Sequence, residues 1–271
     1  MGAPVQGTRQ LWWATNTGAW LTVQPSTVNG RELGAQEWKD TLFLRYGIEP
    51  PDLPHYCDGF NATFSICHDL DFKQGGFFNE RYNKLRDGVT DQAGKYFTPT
   101  HVRDDPLICA GCAMKSPKAK PARSKTTKVA SSTPPLEATE QKRDLLICDL
   151  CQNGTGSVHD MRVLKTDAKS YLSKTQETFL QESEQAKKNI YLEACLQQHQ
   201  QLLPFVASIY GLLGVEAMAK LKRIAIRLAT KWQQSYSRTC GYFNSRIAIT
   251  LVWTTHQCFW GYRVMAHKIS V

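Results

Sequence analysis

Apolar positions along this chain follow a helical period in four stretches and a strand-like pattern in one. Residues 35–46 read as a helix in which Trp38, Leu42 and Tyr46, four apart, form one buried stripe. A second helix is expected over 79–93 and a third over 175–201. A fourth spans 215–234, where Met218, Leu221, Ala225, Leu228 and Trp232 recur at alternating spacings of three and four. Residues 144–164 instead form two apolar runs on either side of Gln152-Asn153-Gly154. An Asn-Gly turn between such runs predicts a β-hairpin. Residues 246–260 are ambiguous, being β-branched yet long enough for a helix. No internal repeat is present.

These elements predict an α/β (α+β) fold: a small mixed sheet around the 144–164 hairpin, flanked by helices, with a basic helical C-terminal part. Four segments follow from the composition. Residues 1–55 are aromatic and broken by Pro and Gly, residues 56–95 join a Cys/His cluster to a helix, residues 96–190 hold the hairpin, and residues 191–271 are helical and basic. Within the third segment, 114–143 collapses to Lys, Ser, Thr, Pro and Ala, with eight basic and two acidic residues, and reads as a flexible insertion.

Charge sharpens this division. The chain carries a formal +9, yet residues 1–186 hold 22 basic and 22 acidic side chains, so the excess, 11 against 2, lies in 187–271. Such an end suits a polyanion, DNA or RNA. On the fourth helix Lys220, Arg223, Arg227 and Lys231 run beside the apolar stripe, the arrangement of a cationic row presented to phosphates. Trp232, Tyr236, Tyr242, Trp253, Phe259, Trp260 and Tyr262 interleave with Arg238, Arg246 and Arg263, a composition compatible with base stacking as well as with a core. The longest clear apolar run, 247–253, falls far short of the roughly 18–20 residues of a membrane span. The first residues lack a signal-peptide or myristoylation pattern, so a nuclear or cytoplasmic protein is expected rather than a secreted one. Nine cysteines, an odd number, fit a reducing compartment.

Two groups of residues carry candidate chemistry. With a three-residue loop and Gly154 left-handed, Asp144 faces Arg162 and Asp160 faces Leu146. The two Asp residues are then diagonal neighbours at roughly 7–8 Å on one face, from which both carboxylates reach one Mg²⁺ or Mn²⁺. Such an ion activates water and neutralises charge on a cleaved phosphodiester. The competing group is two Cys-x2-Cys pairs, Cys109/Cys112 and Cys148/Cys151, the usual donors of a tetrahedral Zn²⁺ site. The two readings exclude each other locally, because strand residues 148 and 151 point to opposite faces. A third cluster, Cys57, Cys67, His68 and Asp71, has Phe60 and Phe72 where a knuckle needs Cys, so packing is its expected role.

The run Leu44-Arg45-Tyr46-Gly47, Cys57-Asp58-Gly59, His68, Gly75-Gly76 and Arg81-Tyr82-Asn83-Lys84-Leu85-Arg86-Asp87 resembles the region downstream of the polymerase in non-LTR retrotransposon polyproteins. There a Cys-Cys-His-Cys knuckle precedes an Arg-His-Asn stretch and a restriction-like endonuclease of the PD-(D/E)xK type. The resemblance implies a restriction-endonuclease-like fold and metal-dependent nicking of target DNA. It puts Asp144 in the Pro-Asp step and Asp160 at the second acid. Arg162 falls at the final Lys, for which Lys187 or Lys188 near Tyr191 could substitute, and Arg81 and Asn83 position the site. The departures are Arg143 before Asp144, Tyr82 for His, two Phe for Cys, and Arg162, which cannot exchange a proton. With no room for a polymerase upstream, the expectation is a truncated copy whose activity is open. The alternative is a non-enzymatic, zinc-binding nucleic-acid module through the four cysteines.

Overall fold

A computed structural model describes residues 18–22, 32–46, 48–51, 53–56, 63, 77–104, 107–108, 141–142, 144–165 and 174–268. Cys57, Cys67, His68, Asp71, Cys109, Cys112 and nearly all of the 114–143 segment lie outside these residues, as do the side chains from 259 onward.

A short 3-10 turn, Gly18–Thr22, is followed by α1 (Ala35–Tyr46) and α2 (Phe77–Gly94). The strands β1 (Val102–Asp104), β2 (Leu107–Ile108), β3 (Gln141–Lys142), β4 (Leu145–Cys148), β5 (Gly156–His159) and β6 (Met161–Leu164) come next. The chain continues through α3 (Gln176–Gln197), β7 (Gln201–Leu202), β8 (Phe205–Ser208), α4 (Val215–Trp232) and α5 (Tyr236–Lys268). β1, β4 and β5 pair antiparallel, and β5 pairs parallel with β7. The parallel step needs a crossover, which α3 supplies.

β5 and β6 are one strand broken at Asp160, and β7 and β8 are one strand broken at Leu203-Pro204. Both parallel pairings keep the same offset, Ser157 with Gln201 before the break and Met161 with Phe205 after it. Leu203 N–H donates to the Val158 carbonyl at 2.8 Å and Phe205 N–H to the Asp160 carbonyl at 2.9 Å, so the strands stay joined. Pro204, opposite Asp160, has no N–H to give. The interruption thus falls at Asp160 on one strand and Pro204 on the other.

Alternation along the strands separates two layers. Leu145, Ile147, Met161, Val163, Phe205 and Ala207 face a core shared with Leu85 and Val89 of α2, Leu221, Ile224 and Leu228 of α4, and Phe243, Ile247 and Leu251 of α5. Leu146, Val158 and Leu202 face Cys195 of α3, and Leu164 and Val206 face Phe179 and Leu180. A mixed sheet with α3 on one face and α2, α4 and α5 on the other is thus a mixed α/β architecture. All four segments marked off by composition contribute to the first core, from Leu44 to Leu251.

Three local expectations are corrected and the ambiguity of residues 246–260 is resolved. Of the expected stripe on α1, Trp38 and Leu42 pack half-buried against the Trp20 cluster but Tyr46 is 47% exposed; the buried residues are Asp40, Thr41 and Leu44, Asp40 pairing with His256 of α5 at 3.0 Å. Residues 246–260 belong to the long helix α5. Gln141–Lys142 pairs with Leu107–Ile108 although it lies within the expected insertion. The hairpin register is shifted by two residues, with Leu145 opposite His159. Gly154 is left-handed as expected (φ 76°), but Asp149 (φ 61°) is too, its carboxylate accepting the Gly154 N–H at 2.5 Å and widening the loop.

The start of α4 is held from another helix. Glu184 of α3 is buried, and its Oε1 accepts the Glu216 N–H at 3.0 Å, capping orphan donors of the first turn. Burial pushes the Glu184 carboxyl upward, opposed by the Glu216 N–H. A Cβ on Gly214 would overlap this carboxylate. Gly214→Ala is therefore expected to cost about 1–3 kcal/mol, read as a lower urea midpoint with an unchanged slope.

Candidate active site

The two-residue shift preserves strand faces, since side chains alternate with period two. It also brings the acids closer than expected. With Leu145 opposite His159, the next position sets Asp144 opposite Asp160, not Arg162. Both side chains are buried, and the neighbouring Asp160 acts electrostatically on Asp144. The backbone N–H of Met161 donates to Asp144 Oδ2, tying the first acid to the strand break that carries the second.

α3 supplies the cation. Lys187 Nζ lies 2.6 Å from Asp160 Oδ2, and the same ammonium sits 5.6 Å from the Tyr191 ring centroid one turn on. Lys188, the other lysine offered for this role, does not reach the acids. It points to Glu216 at the start of α4, because successive helical residues diverge by about 100°. Lys188 joins α3 to α4, and Lys187 joins α3 to the acids.

Burial, together with the neighbouring Asp160, pushes the Asp144 carboxyl up to about 7, against the Met161 N–H and Lys187, which favour its ionised form. Lys220 is buried at 1% exposure, its Nζ 5.2 Å from the Phe205 ring centroid. Burial holds it well below the usual lysine range, with Asp144 and Cys151 opposing. His159, wholly buried on the same face, is held well below the usual histidine range by burial and then by Lys220, so it is neutral. Its Nδ1 meets the Leu203 carbonyl at 3.1 Å and its Nε2 the Ser157 hydroxyl at 3.2 Å.

Lys187, the ion-pair partner of Asp160, also lines a pocket of about 300 Å³ between α2 and β6, together with Asn79, Arg81, Tyr82, Met161, Arg162 and Val163; neither acid is part of that lining. Arg81 enters as a buried side chain and Arg162 as an exposed one. Asn83 is half-buried outside this lining, and Asn79, one turn earlier on α2, occupies the place expected for it.

The cationic row expected on α4 is broken at its start, since Lys220 is buried, while Arg223 and Lys231 are exposed and Arg227 is half-buried. Lys220 is inside the protein, Arg223 donates to Cys151 Sγ at 2.9 Å, and Arg227 donates to the Leu150 carbonyl at 3.1 Å. Arg227 also lies over the Tyr96 and Phe97 rings, and Lys231 donates to the Lys95 carbonyl at 2.5 Å. Acids supplied by the rest of the fold absorb further charge, Asp160 for Lys187 and Asp91 for Arg246. Of the interleaved aromatics, Trp232 and Tyr242 pack edge to face at 5.8 Å, and Trp253 packs against the Trp20 cluster.

Cys148 packs against the α3 side, with Leu146 and Val158, whereas Cys151 packs against the larger core. Among the described residues no group of three or more His, Cys, Asp or Glu side chains is placed to hold a metal ion. Two acids remain a fitting donor set for Mg²⁺ or Mn²⁺, which take one or two carboxylates and complete their shells with water and phosphate oxygens. No helix among the described residues is long and apolar enough to cross a membrane. No protein-family model and no curated protein matches the chain.

Proposed function

We propose that this protein is a retroelement-derived, restriction-like nuclease module that binds DNA and nicks it with a divalent cation. The observation that carries this reading is the facing pair Asp144 and Asp160 with Lys187 at 2.6 Å from the second acid. Two acids on adjoining strands and a lysine beside one of them are the functional groups that phosphodiester hydrolysis requires. The mixed sheet between helix layers is the setting that the resemblance implies for them.

Asp144 and Asp160 would hold Mg²⁺ or Mn²⁺, which supplies an activated water and neutralises charge on the phosphate. The remaining work belongs to the protein. Lys187 pairs with Asp160 and brings a positive charge to the pocket, where it can stabilise the oxygens of the scissile phosphate. Arg162, at the pocket rim, adds permanent charge without exchanging a proton. Burial of both acids excludes competing water. Action on chromosomal DNA would place the protein in the nucleus.

Supercoiled plasmid incubated with the protein and Mg²⁺ is expected to become nicked circles, and Asp160→Ala is expected to lose at least about 10²-fold in rate. Equal rates for the two proteins would remove the assignment.

A further inference from the structure

The pocket beside Asp160 has a composition that the two acids do not explain. Three cationic side chains, Arg81, Arg162 and Lys187, line it together with Tyr82, Asn79 and two apolar residues, and its lining holds no acid. Arg81, buried to 2% exposure, brings a permanent charge to the pocket wall. The other large pocket, near Tyr96, is lined by Asp149 as well as by Arg227 and His101, which makes it a poorer host for an anion.

The volume of about 300 Å³ is too large for phosphate alone and too small for a stretch of duplex. It accommodates one nucleoside with its phosphate. Tyr82 offers an aromatic face, Met161 and Val163 an apolar floor, and Asn79 an amide able to pair with a base edge. A base can enter such a pocket only when it is unpaired, because in a duplex its faces are stacked and its edge is occupied.

We propose that this pocket seats a single unpaired nucleotide, its base against Tyr82 and its phosphate between Arg162 and Lys187. Its position beside Asp160 makes it the nucleotide flanking the cleaved bond, a placement that rests on the nuclease reading, whereas nucleotide binding itself does not. The substrate is then a strand with an exposed base, such as a single strand, flap or gap, in preference to continuous duplex.

Binding is measured by fluorescence anisotropy in EDTA, so that no strand is cut, with a labelled single-stranded octanucleotide, the matching duplex, and free deoxynucleoside monophosphate as competitor. Wild type is expected to bind the single strand at least about tenfold more tightly than the duplex. Arg162→Glu and Tyr82→Leu, which keep the fold in circular dichroism, are each expected to abolish this preference. Competition by free monophosphate places the ligand as a mononucleotide; competition by the oligonucleotide alone places it as a residue within a strand, and either supports the pocket. Equal affinity for duplex and single strand, or a preference unchanged in both variants, overturns it. Loss of plasmid nicking with the preference intact would defeat the nuclease reading and leave the nucleotide seat standing.

Discussion

Asp144→Asn is expected to give a metal-free protein that is more stable than wild type at pH 8 yet unable to nick DNA. The reason lies in the buried acid pair. Burial and Asp160 raise the Asp144 carboxyl from 3.8 to about 7, so the folded protein keeps a proton that the unfolded chain releases near pH 4. A raised carboxyl contributes its stability at low pH and loses it as pH climbs toward the folded value. Wild-type stability without cation should therefore decline between about pH 4 and 7 and level off above, by an amount on the order of 2–4 kcal/mol. Asparagine is neutral at every pH in this window, and its side-chain oxygen can still accept the Met161 N–H that Asp144 accepts. Denaturant midpoints measured from pH 5 to 8 in EDTA should slope downward for wild type and run flat for the variant. Added Mg²⁺ should restore wild type at pH 8 and leave Asp144→Asn unmoved, because the cation replaces the proton on the Asp144 carboxylate and asparagine has no carboxylate to offer. A parallel decline in both proteins would show that the dependence arises elsewhere.

The second large effect separates two neighbouring lysines. Lys187→Ala is expected to lower the nicking rate by about 10²–10³-fold with little change in fold, since it removes the ammonium that contacts Asp160. Lys188→Ala should cut DNA nearly as fast as wild type and instead lose about 1 kcal/mol of stability, because its half-buried ion pair with Glu216 ties α3 to α4. Single-turnover rates and urea midpoints for the two variants should thus change in opposite patterns. Equal rates in Lys187→Ala and wild type would detach the lysine from the chemistry.

Much of the layout was legible in periodicity. Residues 215–232 showed their helix because apolar side chains recur on one face, and Asn153-Gly154 marked the hairpin, whereas 35–46 is a helix whose most buried face includes Asp40 and Thr41. The meeting of Asp144 with Asp160 was legible in face parity, although the register was not. Asp149 in a left-handed conformation lengthens the loop, and no local rule assigns that conformation to an Asp in such a run. Charge misled most. Lys220 looks like part of one cationic row with Arg223, Arg227 and Lys231 in sequence, but whether a lysine is solvated or buried depends on partners distant in the chain, here the Phe205 ring beside its ammonium. The choice between Lys187 and Lys188 likewise rests on how α3 is rotated over the sheet. Phe179 and Leu180 set that rotation by packing on Leu164 and Val206, contacts fixed only by the tertiary fold.

The facing carboxylates are tested most directly by the initial rate of plasmid nicking as Mg²⁺ is raised from zero at pH 8, in wild type and in Asp160→Ala. Wild type should rise to a saturating rate that EDTA abolishes, with Asp160→Ala at least about 10²-fold slower at every concentration. Nicking that is absent from wild type, independent of Mg²⁺, or equal in the two proteins would contradict a catalytic pair at Asp144 and Asp160.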